Sequence, residues 1–546
     1  MKQELSNTAL SNIISDILIH YKIEHICVCP GSRNTPLTLS FTKNKKFKCT
    51  SYIDERSAGF FTLGIAKSLN QPSVVLTTSG TAVANLLPSI IEADLSRVPM
   101  IAITADRPKS LLNTGANQTI KQNNIFKNFI RDSIHIDLSD NNSIENIYAQ
   151  LDSAINKSIG TIGKNSPGPV HINISFDEPL IDKNTSYEID INLSEKNKHY
   201  NNFMLPKCNY PIIICGQLNT DSQSDMIISL SEKLNCPIFT DPLSQLRFDK
   251  KHPHIFSYYD YYIENLSIKP DYIIRFGSKP VSKKLNKFLN SYKNTQMILF
   301  SEYARYNDDS YVITVKDING IETLNQHNKN LLNHITDLEH KSRKILEKYY
   351  TNEYFFEGNI LYQLLNQFKN NDNLFIGNSL PVRTLEKFCP NLDKKIRVYS
   401  NRGASGIDGL IASALGVSYI KKNGRNILII GDISFFYDMN ALLIANQYKL
   451  NLNVIIINNK GGQIFKTLPY SNKIEDSLEN FWATPIDLNI KNCSKLYNAT
   501  YSSIETIKDI RDNLDKTLNN KGLNIIEVKC EFKNTQEIES KINNEF

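Results

Sequence analysis

Several features are missing from this chain, and each absence narrows the reading. No apolar run approaches the roughly 18 to 20 residues that span a bilayer, and Met1-Lys2-Gln3-Glu4-Leu5-Ser6 has no signal-peptide core. A cytoplasmic protein with no membrane partner is expected. No Cys-x-x-Cys pair occurs among the nine scattered cysteines, whose odd number also argues against a disulfide framework or a zinc site. Lys/Arg blocks of the kind that track nucleic acid are absent too: 62 basic and 56 acidic residues are interspersed, for a net charge of +6. No Gly-x-Gly-x-x-Gly follows a predicted strand, which disfavours a dinucleotide oxidoreductase. Gly163-Lys164 is followed by Asn165 and lacks the upstream glycine of a phosphate-binding Walker loop. We find no internal sequence repeat.

What is present is a long alternation of helix and strand patterns. The 546 residues exceed one ordinary core, so two or three domains are expected. To about residue 185, an amphipathic helix from Asn7 to His20 precedes predicted strands at Ile26 to Cys29, Ser73 to Thr77, Met100 to Thr104 and Val170 to Ser175. Helices are predicted from Ala58 and from Thr81. A polar stretch from Asp182 to Pro206 has linker composition. The next block, 186–350, carries short apolar strands at Pro211 to Cys215, Pro237 to Thr240 and Tyr272 to Phe276, and a charged helix from Asn328 to Tyr350. The last, 351–546, has strands at Asn373 to Ile376, Asn426 to Ile430, Val454 to Ile457 and Asn524 to Val528. The fold class is therefore α/β, with doubly wound parallel sheets in three domains.

The most informative segment lies in the last block. Asn426 to Ile430 ends at Gly431-Asp432-Ile433-Ser434, Asp438 to Tyr448 has helical spacing, and Val454 to Ile457 ends at Asn458-Asn459-Lys460-Gly461-Gly462-Gln463. A right-handed crossover makes the strands parallel and brings both C-terminal ends to the edge where α/β sheets bind ligands. Asp432, Asn459 and a carbonyl of the Gly461 turn are then hard oxygen ligands for one magnesium ion, with positions left for two diphosphate oxygens and a water. Gly-Asp and Asn-Asn are also ordinary strand-to-turn dipeptides, so this spacing alone leaves the matter open.

The flanking residues narrow it. Gly431 to Asn440 and Gly461-Gly462-Gln463-Ile464-Phe465-Lys466-Thr467-Leu468-Pro469 resemble the diphosphate-binding signature of thiamine diphosphate enzymes. The subgroup resembled is 2-succinyl-5-enolpyruvyl-6-hydroxy-3-cyclohexene-1-carboxylate synthase, of menaquinone biosynthesis. The resemblance is dense over Cys29 to Phe126 and Gly377 to Pro469 and weak after Trp482. It implies domains of the thiamine diphosphate-binding type: 1–185 for the pyrimidine, 186–350 in the centre, and 351–546 for diphosphate and Mg2+ (or Mn2+). It further implies that Gly431, Asp432, Ile433, Ser434, Asn459, Gly461, Gln463 and Ile464 contact the cofactor. Lys460 departs from the pattern, standing where a third Asn is common, and a small effect on cofactor affinity is expected.

The same resemblance assigns further roles. Glu55, in Tyr52-Ile53-Asp54-Glu55-Arg56-Ser57, matches the glutamate that promotes the imino tautomer of the aminopyrimidine; without the resemblance, Asp-Glu-Arg at a helix start reads equally as a cap. Ile407 matches the aliphatic wedge that keeps the cofactor bent. Substrate-contacting positions are matched by Ser32, Arg33, Arg107, Asn117, Gln118, Lys283, Ser379, Arg383, Arg402, Ile464 and Phe465. Four arginines in glycine- or proline-marked turns suit polycarboxylate substrates, because guanidinium groups bind carboxylates with paired hydrogen bonds. The implied activity is decarboxylation of 2-oxoglutarate and addition of the succinyl unit to isochorismate, in a homodimer or homotetramer with active sites at the chain interface. A thiamine-dependent 2-oxo acid decarboxylase or carboligase with another acceptor is the alternative; a noncatalytic binding module is a third reading.

Overall fold

The structure, a computed structural model, describes residues 5–140, 143–161, 166–182, 203–292, 296–301, 311–314, 321–322 and 329–546. Most of the expected linker, and Gly163-Lys164-Asn165, lie outside them. Contacts divide the chain into two compact units. One comprises 1–198, 401–420 and 438–444, the other 199–400, 421–437 and 445–546.

The first unit is built on six parallel strands: β1 His25–Val28, β2 Lys48–Ser51, β3 Ser73–Thr77, β4 Met100–Asp106, β5 Asp132–Asp137 and β6 Pro169–Ser175. Their order is β2-β1-β3-β4-β6-β5. β3, β4 and β6 are buried at every position, as expected when helices cover both faces of a parallel sheet. The helices begin where the sequence supplies caps. Ser6 accepts from the Ala9 amide ahead of Asn7–His20, and Ser143 accepts from the Asn146 amide ahead of Ile144–Ile159, which Gly160 ends in the left-handed region.

Two helices of this unit bear on function. Glu55–Leu69 is capped by Asp54, whose carboxylate accepts from the Ser57 amide. Leu410–Ile420, apolar all round and buried along most of its length, packs on it backbone to backbone. A Cβ at Gly64 would lie 2.1 Å from the Ser413 carbonyl oxygen, and one at Gly416 would lie 2.2 Å from that of Phe61. Only glycine allows this approach.

The second unit holds a short parallel pair, β7 Phe203–Met204 with β14 Ile321–Glu322, and two six-stranded parallel sheets. One contains β8 Pro211–Cys215, β9 Ile238–Thr240, β10 Ile255–Phe256, β11 Tyr272–Phe276, β12 Met297–Ser301 and β13 Tyr311–Thr314, in the order β10-β9-β8-β11-β12-β13. The other contains β15 Asn373–Ile376, β16 Arg397–Tyr399, β17 Asn426–Gly431, β18 Leu452–Asn458, β19 Thr500–Ile504 and β20 Leu523–Lys529, ordered β16-β15-β17-β18-β20-β19. That order repeats the topology of the first unit's sheet. The charged helix expected from Asn328 to Tyr350 is Asn330–Thr351. The helix expected from Asp438 starts earlier, at Asp432, and a 3₁₀ turn at Met439–Leu442 separates it from Leu443–Gln447.

Candidate active site

In the second unit β17 and β18 pair in parallel, with Gly431 opposite Ile457, so Asp432 and Asn459 emerge from neighbouring C-terminal strand ends. Asp432 is buried. One of its carboxylate oxygens accepts from the Gly461 amide at 2.7 Å and the other from the Ile433 amide at 2.7 Å. Burial raises its pKa while these backbone donors oppose the rise. Gly461 has φ +114°, and a Cβ there would sit 2.3 Å from the Ala483 carbonyl oxygen, so a side chain at this turn is excluded. The Asn459 amide nitrogen donates to Glu357 at 2.8 Å, which leaves its oxygen, the harder ligand atom, for another partner. Gln463 donates to the Lys460 carbonyl at 2.8 Å, and its own buried amide oxygen has no partner. A Cβ on Gly431 would meet nothing within 4 Å.

This donor set fits a magnesium diphosphate. A carboxylate, an amide oxygen and the Gly461 carbonyl, which also accepts from the Gln463 backbone amide at 2.8 Å, offer three hard oxygens; Gln463 adds an unpartnered buried oxygen to the same turn, and Gly431 places no side chain at the strand end. Ser434 is buried, Ile433 and Ile464 are half-buried, and Phe465 is exposed. Lys460 is turned to solvent, where its ammonium pairs with Glu531 at 3.3 Å.

In the first unit, the residues expected at strand ends fall where the topology requires. Glu55 opens its helix after β2 and is half-buried, and its carboxylate accepts from the Asn85 amide at 3.3 Å. Arg33, after β1, donates to the Phe176 carbonyl at 3.1 Å and pairs with Glu178 at 3.3 Å. Arg107, after β4, donates to the Ser79 hydroxyl and to the Gln118 side chain. Burial, and then the Arg33 charge, lower the pKa of Arg107, while Asp106 and Glu178 oppose the fall. Ser32, Asn117 and Gln118 are exposed. Arg402 and Ile407, both half-buried, lie in this unit ahead of Leu410–Ile420.

The other expected substrate contacts belong to the second unit. Ser379 has φ +68° at the start of Leu380–Phe388, and its carbonyl accepts from Arg383 at 2.6 Å. Lys283 is exposed at the start of Lys283–Leu289, and among the described residues no hydrogen bond or ion pair joins it to another site residue.

Other residues support these positions through tertiary contacts that the sequence does not reveal. Glu357, buried and raised to about pKa 7 by its burial, holds the Asn459 amide. Asp438 accepts from the Ile411 and Ala412 amides at 2.8 and 3.0 Å and so caps Leu410–Ile420; burial raises it to about 7. Glu92 and Lys67 form a buried pair in the first unit. The only signal in the sequence was a charge inside an apolar helical stretch, as in Ile90-Ile91-Glu92-Ala93.

Comparison with known proteins decides the family. Three family models match in sequence order: the thiamine pyrophosphate enzyme N-terminal TPP binding domain over residues 8–125, the middle domain over 182–376 and the C-terminal TPP binding domain over 387–528. A 2-succinyl-5-enolpyruvyl-6-hydroxy-3-cyclohexene-1-carboxylate synthase from Listeria innocua serovar 6a is 34% identical, with 94% of this chain and 93% of the relative covered. That from Bacillus velezensis is 35% identical, with 92% and 91% covered, and that from Staphylococcus haemolyticus 35%, with 90% and 89%. The chain belongs to this synthase family. It is a thiamine diphosphate enzyme of menaquinone biosynthesis. Among solved structures, benzoylformate decarboxylase from Polynucleobacter necessarius matches with TM-score 0.71 at 16% identity, covering 96% of this chain and 98% of that one, which bears on fold alone. No helix among the described residues of this synthase-family chain is long and apolar enough to cross a membrane.

Proposed function

We propose that this enzyme decarboxylates 2-oxoglutarate and adds the succinyl unit to isochorismate, releasing carbon dioxide. The observation that carries the reading is the joint presence, in one chain, of the Asp432–Gly461 cradle and the Glu55 helix with near full-length relatives bearing the synthase name. The domains follow as 1–185, 186–350 and 351–546.

Asp432, Asn459 and the Gly461 carbonyl would hold Mg2+ or Mn2+, with Gly431, Ile433, Ser434, Gln463 and Ile464 against the cofactor. Thiamine diphosphate, when bound, supplies the electron sink that decarboxylation requires. Glu55 holds a proton at the aminopyrimidine nitrogen, and Asn85 keeps its carboxylate oriented. Ile407 would supply an aliphatic contact to the bound cofactor. Arg33, Arg107, Arg383 and Arg402 bind the substrate carboxylates, with Ser32, Asn117, Gln118, Lys283, Ser379, Ile464 and Phe465 completing the pocket. Planar, permanently charged donors suit two polycarboxylates better than the small apolar acids of other carboligases. The enzyme works in the cytoplasm as a homodimer or homotetramer, with Glu55 of one chain serving the diphosphate site of another.

Carbon dioxide release from 2-oxoglutarate, with thiamine diphosphate and magnesium, tests the proposal. Release that requires isochorismate and yields a new adduct supports it. Release that ignores isochorismate points to the decarboxylase or carboligase alternative.

A further inference from the structure

The loop that joins β16 to the helix Leu410–Ile420 carries both Arg402 and Ile407, and its fold comes from outside itself. Glu92, on the helix Leu87–Ser96, is 2% exposed. One of its carboxylate oxygens accepts from the Gly403 amide at 2.9 Å and the other from the Ala404 amide at 2.7 Å. Lys67, near the end of the helix that Glu55 begins, lies 3.4 Å from the same carboxylate. Its ammonium also donates to the Asn401 side chain at 2.8 Å, and the Asn401 amide donates on to the Ser413 hydroxyl at 2.9 Å. All of these groups lie in the first unit.

A buried ion pair is a poor device for stability, because the desolvation of two charges consumes most of their attraction. What this pair does provide is directional. Two consecutive backbone amides are fixed on one carboxylate, and the side chain two residues before the first of them is fixed on the matching ammonium. Arg402 stands between these anchored positions, and Ile407 follows a few residues later. The helix that carries Lys67 has Glu55 at its other end.

We propose that Glu92, charge-paired with Lys67, is a positioning residue for substrate binding: it sets the backbone of Asn401 to Ala404, and so holds the Arg402 guanidinium where a substrate carboxylate can meet it. The inference rests on the function proposed above, since Arg402 takes its role from there. The pair touches no substrate and acts only through the loop.

The test uses full-length enzyme with thiamine diphosphate and magnesium, comparing wild type, Glu92→Gln, Lys67→Met, Arg402→Ala and the double variant Glu92→Gln with Arg402→Ala. Glu92→Asp, which keeps the charge but withdraws it by one methylene, serves if Glu92→Gln does not fold. Glu92→Gln and Lys67→Met should each raise the KM for the dicarboxylate substrate about tenfold. kcat should change less than about threefold, as for lost uniform binding. In the Arg402→Ala background, Glu92→Gln should add little, because the group it positions is gone. A KM increase of the same size in both backgrounds, or a lowered melting temperature with an unchanged KM, would overturn the proposal. Amide hydrogen exchange of the 401–409 segment gives a readout independent of turnover. Faster exchange at Gly403 and Ala404 in the Glu92 variants supports the clamp, and unchanged exchange refutes it. Inactivity of the wild type toward 2-oxoglutarate and isochorismate would count against the proposed function, and the exchange measurement would still decide the clamp.

Discussion

The sheets β1–β6 and β15–β20 share one strand order yet end in different chemistry. After its first strand each has a serine and an arginine: Ser32 and Arg33 after β1, Ser379 and Arg383 after β15. After the second come Glu55 in one and Arg402 with Ile407 in the other. After the third and fourth strands the sheets part. β3 and β4 lead to Ser79 and Arg107, a cationic edge, whereas β17 and β18 lead to Asp432, Asn459 and Gly461, an edge of hard oxygens. The topology therefore fixes where groups are displayed, and the residues in the first few positions beyond each strand decide what is bound. No sequence repeat accompanies the structural one, since buried β-branched strands satisfy the sheet almost interchangeably.

Substitutions should separate the two edges. The largest effect is expected from Glu55→Gln, which removes a proton-transfer group and should lower kcat about a thousandfold in steady-state assays. Asp432→Ala should weaken binding of thiamine diphosphate with magnesium by about a hundredfold or more in calorimetry, because it deletes a ligand and leaves the Gly461 and Ile433 amides without their acceptor. Arg107→Ala and Arg383→Ala should each raise the KM of the carboxylate substrates by about 10- to 100-fold, the cost of a charge-assisted hydrogen bond. Lys460→Asn should change cofactor affinity less than about threefold, since the ammonium pairs with Glu531 in solvent.

Acid should also distinguish the sheets. In β6, His171 is fully buried, shares a 2.7 Å hydrogen bond with Thr104, and is pushed down to about 3 by burial and by His135. The corresponding strands β18 and β20 instead pair amides, Asn453 with Asn524 at 3.0 Å. An unfolded histidine titrates near 6.5, so between there and about 3 the unfolded chain binds the extra proton. The stability that His171 lends as a neutral ring is thus present above the unfolded pKa and lost as pH falls through this window, at on the order of 1 kcal/mol per pH unit. Urea midpoints measured from pH 7 to 5 should fall more steeply for wild type than for His171→Gln. Equal slopes would remove His171 from the account.

Much of this was legible in the sequence where the physics is local. Pro211–Cys215, Tyr272–Phe276 and Asn373–Ile376 are short apolar strands bounded by breakers, and the structure has them at the expected residues. β5 does not stand out in the sequence because it is a polar edge strand, reading Asp-Ser-Ile-His-Ile-Asp. The helix after β17 begins six residues before the Asp438 that the sequence suggests, because Asp432 is its first residue and not the end of a strand. The meeting of Asp432 with Gly461, and the neighbouring strand end that carries Asn459, were readable because one crossover sets their spacing. Glu92, Lys67, Glu357 and Asp438 were not, since each finds its partner across tens or hundreds of residues, and only tertiary contact reveals why a charge is buried there.

On the proposed function, cofactor binding and activation belong to different sheets. Calorimetric titration of thiamine diphosphate with magnesium into wild type, Glu55→Gln and Asp432→Ala, each also assayed for turnover, tests it most directly. Glu55→Gln should bind within several-fold of wild type and fail to turn over, and Asp432→Ala should fail to bind. Binding by Asp432→Ala at wild-type affinity, or turnover by Glu55→Gln at the wild-type rate, would contradict it.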